Sequence, residues 1–190
     1  MAIKTFTDNT TLPASDINSF LANSGLVYIT SGALSLTTTN FVGCFTSTYN
    51  NYRIVLDNGG GSAAGDIYFR MLNGSTPFVL GNYYWAGTGF TSAGAAANTS
   101  GAGITYGYFG ATFSLGGTST TNVIFDIYSP LPAVRTQYTG QGVSTVGAGY
   151  NNRNVGGSLD NITSYDGIQF ASITGINMSG NVTIYGYRKV

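Results

Sequence analysis

Histidine and glutamate are absent from this 190-residue chain, cysteine occurs once, and charged residues make up only 7%. An ordinary soluble domain carries roughly 25% charged residues. Each scarcity removes a class of chemistry. Without histidine there is no Ser-His-Asp or Cys-His arrangement and no histidine metal site. Without glutamate the carboxylates are Asp8, Asp16, Asp57, Asp66, Asp126, Asp160 and Asp166. A single thiol, Cys44, allows no intramolecular disulfide, so the sequence implies no oxidising compartment. Its neighbours Val42, Gly43 and Phe45 point to a buried, structural role, since a lone buried cysteine behaves as a small hydrophobe. Met1 to Asn9 is polar and reads as no secretory signal. No run approaches the roughly 20 apolar residues of a membrane helix, so no membrane insertion is expected. Seven basic residues balance seven acidic ones, which leaves no electrostatic footprint for nucleic acid. A net charge near zero favours association.

What is present is β grammar. In Tyr52 to Asp57 the residues Tyr52, Ile54 and Leu56 share one face, opposite Arg53, Val55 and Asp57. In Asp66 to Leu72 the residues Ile67, Phe69 and Met71 do the same. Period-two alternation of β-branched and aromatic residues marks half-buried strands. The glycine-rich Asn58 to Gly65 between them reads as a hairpin loop.

Strands are expected at 26–30, 33–38, 41–45, 52–58, 66–72, 78–85, 104–115, 121–129, 134–140, 168–172 and 181–187. Asn73-Gly74, Gly116-Gly117 and Ser179-Gly180 supply turn signals. The fold class is all-β: an antiparallel β-sandwich, jelly-roll-like, with a short N-terminal helical segment. The expected core is Ile54, Leu56, Ile67, Phe69, Val123, Phe125, Ile127, Ile168, Phe170, Val182 and Ile184. Residues 86–103 and 142–164 lack alternation and read as long, partner-facing or mobile loops.

Residues 1–25 differ in texture from the domain expected over 26–190. Ser15 is a helix N-cap, Asp16 sits in the first turn, and Gly25 ends the segment. Ile17, Phe20 and Leu21 form one apolar stripe, with Phe6 and Leu12 beside it. So small a stripe needs a covering surface, either its own domain or another protein of an assembly, and the five residues are the candidate docking set.

Site chemistry is sparse. Asp57 with Asp66, or Asp160 with Asp166, has the residue type of a glycosidase pair, but aspartate favours turns by bonding its own backbone. Asp57-Asn-Gly-Gly-Gly lacks the alternating oxygen ligands and closing glutamate of an EF-hand. No catalytic residue, metal or cofactor is expected. Six Asn-X-Ser/Thr sequons occur in a chain rich in those residues, and they carry no argument without a secretory signal. Tyrosine is the positive feature, with 14 copies. Tyrosine beside Ser, Gly and Asn is the composition of binding surfaces, and it also suits stacking on sugar rings. Tyr83, Tyr84, Trp85, Phe90 and Tyr150 are the candidate partner or glycan contacts. The same rings could instead fill the core or a subunit interface.

Two stretches carry a resemblance. Phe6-Thr-Asp-Asn-Thr-Thr-Leu-Pro-Ala-Ser-Asp-Ile-Asn-Ser-Phe-Leu resembles the opening of many small virion proteins of tailed bacteriophages, with Pro13 where threonine usually follows the leucine. Phe45-Thr-Ser-Thr-Tyr-Asn-Asn-Tyr-Arg-Ile-Val-Leu, Ile168-Gln-Phe-Ala and Gly180-Asn-Val-Thr-Ile-Tyr-Gly-Tyr are similar to β-sandwich phage structural proteins. The resemblance implies a virion structural protein, non-enzymatic, in the tail or its fibres, contacting other virion proteins and a host surface glycan. A capsid decoration protein is the alternative, and a carbohydrate-active enzyme a remote one. Sparse charge and surplus aromatics imply a homo-oligomer. Analogy with fibres and decoration proteins makes it a trimer.

Overall fold

The computed structural model describes residues 25–96, 98–113, 120–146, 149–172 and 174–188. The helical segment and its docking set, Phe6, Leu12, Ile17, Phe20 and Leu21, lie outside the described residues, as does the Gly116-Gly117 turn. The rest is all strand and connection. In chain order the strands are β1 (Leu26–Ala33), β2 (Thr38–Phe41), β3 (Tyr49–Gly61), β4 (Gly65–Asn73), β5 (Thr76–Pro77), β6 (Tyr83–Thr91) and β7 (Thr99–Ile104). They continue with β8 (Gly107–Phe113), β9 (Thr121–Tyr128), β10 (Thr136–Val146), β11 (Gly149–Leu159), β12 (Gly167–Ser172) and β13 (Met178–Arg188).

Every strand pairing is antiparallel. Eight strands form one sheet in the order β1-β13-β3-β9-β10-β11-β6-β7. The other sheet runs β2-β12-β4-β5, with β8 also paired to β4. The two sheets turn their apolar faces to each other, an arrangement consistent with a β-sandwich. All eleven residues of the expected core are buried. Phe69 and Phe170 from the small sheet meet Phe125 from the large one, and Phe109 of β8 stacks on Phe125 at 4.9 Å between ring centroids.

The closing strand β13 is internal, paired to β1 on one side and β3 on the other. Ser179-Gly180 is not a turn. It is a bulge inside β13, where the register with β3 slips and Gly180 takes φ +118°. Asn73-Gly74 does turn the chain, between β4 and β5, with Gly74 at φ +58°.

Several expected boundaries are corrected. Asn58 to Gly65 is not a hairpin, because β3 belongs to the large sheet and β4 to the small one. The alternation is right, but alternation does not say which strand is the partner. The segment 33–38 is not a strand: β1 stops at Ala33, and exposed Leu36 takes φ +57° before β2 begins. Beyond β2 the chain turns at Gly43, φ +67°, yet Cys44 and Phe45 are buried. Residues 78–82 are irregular, and 104–115 is divided at Thr105 and Tyr106 between β7 and β8.

The largest correction concerns the two expected loops. Residues 86–91 extend β6, 99–103 belong to β7, and 142–159 hold the latter part of β10 and all of β11. Their lack of alternation has a packing cause. Beneath β10 lies the backbone of β8 rather than a layer of large side chains, and in β6 the glycines Gly87 and Gly89 lie against the β11 carbonyls of Asn154 and Asn152. A methyl group at Gly140 would lie 3.0 Å from the Phe109 carbonyl oxygen, and one at Gly142 would lie 2.8 Å from that of Gly110. Glycine is required on the inner side there, so the usual apolar half of the pattern is missing.

Candidate functional site

With its inner face committed to the core, the large sheet leaves a broad outer face, and the register maps it. On one row Tyr185 of β13 faces Arg53, Arg53 faces Asp126, Asp126 faces Thr139, Thr139 faces Gly156, and Gly156 faces Ala86. On the next row Thr183, Val55, Ile124, Gln141, Asn154 and Thr88 follow one another in the same way. Six strands, drawn from β3 to β13 along the chain, therefore supply one surface.

At its centre Arg53 grips Asp126 with both prongs. Nε donates to Oδ1 and Nη2 to Oδ2, each at 2.9 Å. The Tyr187 hydroxyl donates to the same Oδ1 at 2.8 Å, and the Arg53 guanidinium lies 5.5 Å from the Tyr187 ring centroid. Partial burial, the hydrogen bond to the carboxylate and its negative charge together push the Tyr187 phenol up to about 12. The Asp126 hydrogen bond raises Arg53 as well. The fork is thus ionised and internally neutralised. Nearby, Tyr128 and Thr139 join their hydroxyls at 3.3 Å.

Around this cluster the face is hollowed. A depression of about 600 Å³ lies over Arg53, Asp126, Thr139, Gln141, Asn154 and Gly156. A second, of about 500 Å³, shares Ile124, Gln141 and Asn154 with it and extends toward Asp57, Val143 and Asn152. A third, of about 560 Å³, shares Gly156 and extends toward Tyr84, Gln137 and Ser100. The three depressions thus adjoin one another along the outer face, the first and third meeting at Gly156, which has no side chain. Their walls mix amides and hydroxyls with an exposed Ile124, 48% accessible.

The candidate contacts do not make one patch. Tyr83 is a correction: it is fully buried, accepting from the Met71 amide at 2.9 Å and donating to the Phe78 carbonyl at 3.3 Å. As the first residue of β6 it alternates inward, which puts Tyr84 outward. Trp85 is also turned inward and half-covered, its ring 5.0 Å from that of Tyr108. Tyr84, Phe90 and Tyr150 are exposed at 42%, 62% and 53%. Phe90 lies diagonal to Tyr150 across β6 and β11, six residues along β6 from Tyr84, or about 20 Å. Most of the remaining rings serve the core: Tyr52, Tyr108, Tyr138 and Tyr165 are buried.

The aspartate pairs separate into local roles. Asp57 and Asp66 lie on strands of different sheets, and Asp66 accepts from the Tyr68 hydroxyl at 3.3 Å. Asp160 pairs with Arg135 at 2.6 Å, and Asp166 accepts from the Gly74 amide at 2.9 Å. Among the described residues no group of three metal-ligating side chains is clustered. Cys44 is buried and donates to the Phe41 carbonyl at 3.3 Å, and burial pushes its thiol up to about 12. It is therefore an unreactive thiol.

None of Arg53, Asp126, Tyr187, Gln141 and Asn154 was among the candidate contact residues read from the sequence. For Arg53 and Asp126 the available signal was phase, since each is an outward residue between two core neighbours. Gln141, Asn154 and Tyr187, each with a glycine or polar neighbour on at least one side, carry no such signal. Neither a protein-family model nor a curated protein matches this chain.

Proposed function

We propose that the protein is a virion structural component of a tailed bacteriophage, of the tail or tail-fibre type. In this reading residues 1–25 dock it to the particle and a jelly-roll-like sandwich body projects from them. The observation that supports this most directly is polarity. Gly25, where the described chain begins, accepts a hydrogen bond from the Arg188 amide at 3.0 Å, beside the starts of β1 and β3 and the end of β13. Exposed Phe90 and Tyr150 lie toward the opposite ends of the strands, with β11 spanning 11 residues, about 35 Å, between the two ends. A body entered at one end and exposing Phe90 and Tyr150 toward the other suits a projecting component, while Tyr28 and Tyr84 are exposed near the entry end. The homotrimer and the contact with host surface glycan belong to the same proposal. The alternation of β1 to β4 between the two sheets favours the jelly-roll description.

The test is deletion of residues 1–24, followed by comparison of the isolated body with particles assembled from it. A body that unfolds cooperatively but no longer enters particles supports docking. Normal incorporation without the segment overturns it. Labelling of intact particles distinguishes tail from head, and a head location would favour a decoration protein.

A further inference from the structure

We infer that the groove across the outer face of the large sheet is a binding site for a neutral, hydroxyl-rich glycan chain, centred on Arg53, Asp126, Gln141 and Asn154. The inference deepens the proposed function and rests on the body being displayed outside a particle.

The groove chemistry selects the ligand class. Gln141 and Asn154 face each other across β10 and β11, and neither side chain has a hydrogen-bond partner among the described residues. Each amide both donates and accepts, as does every sugar hydroxyl. The one charged group pair is already neutralised, because Arg53 spends Nε and Nη2 on Asp126 while Nη1 stays available. An anionic ligand would therefore find no net positive charge to hold it. An apolar ligand would strand the amides and the ion pair away from water. A sugar ring offers hydroxyls at its rim and a C–H face, and exposed Ile124 lies beside Gln141 to meet that face. Length is also explained. The adjoining depressions span β3, β9, β10, β11, β6 and β7, six strands about 4.8 Å apart, a length that suits an extended chain rather than a single ring.

Gly156 gives the decisive variant. It faces outward where the first and third depressions meet, and an added Cβ would find its nearest atom, the Tyr138 carbonyl oxygen, at 3.8 Å. Gly156→Leu should therefore fill the groove without disturbing the core. The experiment applies the full-length protein to an array of immobilised neutral and acidic oligosaccharides. The strongest neutral binder is then measured in solution by saturation-transfer NMR. The expected result is selective binding of neutral glycans, weakened at least tenfold in Gly156→Leu and in Gln141→Ala/Asn154→Ala, with thermal unfolding unchanged. Equal binding by both variants, preference for acidic glycans, or no binding to any member of the array overturns the site. A Gly156→Leu protein that sediments as a monomer where the parent is an oligomer assigns the groove to a second copy instead. Incorporation into particles is read separately. Glycan binding by a protein absent from particles sinks only the virion reading, and a particle protein that binds no glycan sinks only this one.

Discussion

Phe69 of the small sheet stacks on Phe125 of the large one, with ring centroids 5.6 Å apart and planes 28° from parallel. Phe69 also meets Tyr138 edge-on at 4.8 Å and reaches Tyr83 and Phe109 at 6.1 Å each. One side chain from β4 thus touches rings from four other strands and joins both sheets. Phe69→Ala should cost about 3–5 kcal/mol. That is a large part of the roughly 5–15 kcal/mol holding a typical domain. Urea unfolding checks it, and a midpoint within error of the parent would show that the sheets are held elsewhere.

Asp126 should matter less for stability and more for its neighbours. Asp126→Ala leaves the Arg53 guanidinium half-covered without its carboxylate and removes the acceptor of the Tyr187 hydroxyl. A loss of roughly 1–2 kcal/mol is expected, as for a charge-assisted hydrogen-bond group near the surface. The more specific outcome is spectroscopic. Tyr187 should titrate closer to the ordinary tyrosine range in Asp126→Ala, because the hydrogen bond and the negative charge that raise it are gone. An unchanged Tyr187 titration would leave burial as the sole cause.

Stability should fall on the alkaline side. Tyr187 and Cys44 are both held near 12 in the fold, Cys44 from an ordinary 9.0, and burial also raises Tyr52, Tyr68, Tyr83, Tyr138 and Tyr165. A raised folded value stabilises the protein fully below the unfolded pKa, and the stabilisation is lost as pH rises through the folded value. The melting temperature should therefore decline from about pH 9 upward, where unfolded thiols and then phenols begin to ionise. With no histidine in the chain, no step is expected between about pH 6 and 7. Constant melting temperatures up to about pH 11 would contradict the burial of these groups.

Two glycines on neighbouring strands should respond oppositely to alanine. At Gly142 the new methyl would sit 2.8 Å from the Gly110 carbonyl oxygen, which belongs to backbone and cannot rotate aside. Gly142→Ala should cost about 1–3 kcal/mol. At Gly156 the nearest atom is 3.8 Å away, and Gly156→Ala should be neutral, or stabilising by a few tenths of a kcal/mol through the unfolded chain. Equal effects in thermal melts would mean that β8 does not press on β10 as described.

The sequence alone determined the class of the fold and the phase of its apolar strands. Tyr52, Ile54 and Leu56, or Ile67, Phe69 and Met71, alternate because one side of a strand must leave water, and a slip of one residue would reverse every side chain. Local chemistry of this kind is written in neighbours two apart. Partner choice is not, and there only the tertiary structure decides. Asn58 to Gly65 looks the same whether it closes a hairpin or, as here, carries the chain from one sheet to the other. The glycine-rich stretch around Gly142 carried no alternation because it covers the backbone of β8, and near Ala86 the glycines Gly87 and Gly89 lie against the backbone of β11; a backbone selects for absent side chains rather than for apolar ones. The groove has the same origin. Arg53 and Asp126 are 73 residues apart, and each is unremarkable in its own strand. They meet because β3 pairs with β9 in one register, and that register is set by Ile54 and Phe125 packing on the opposite side of the sheet.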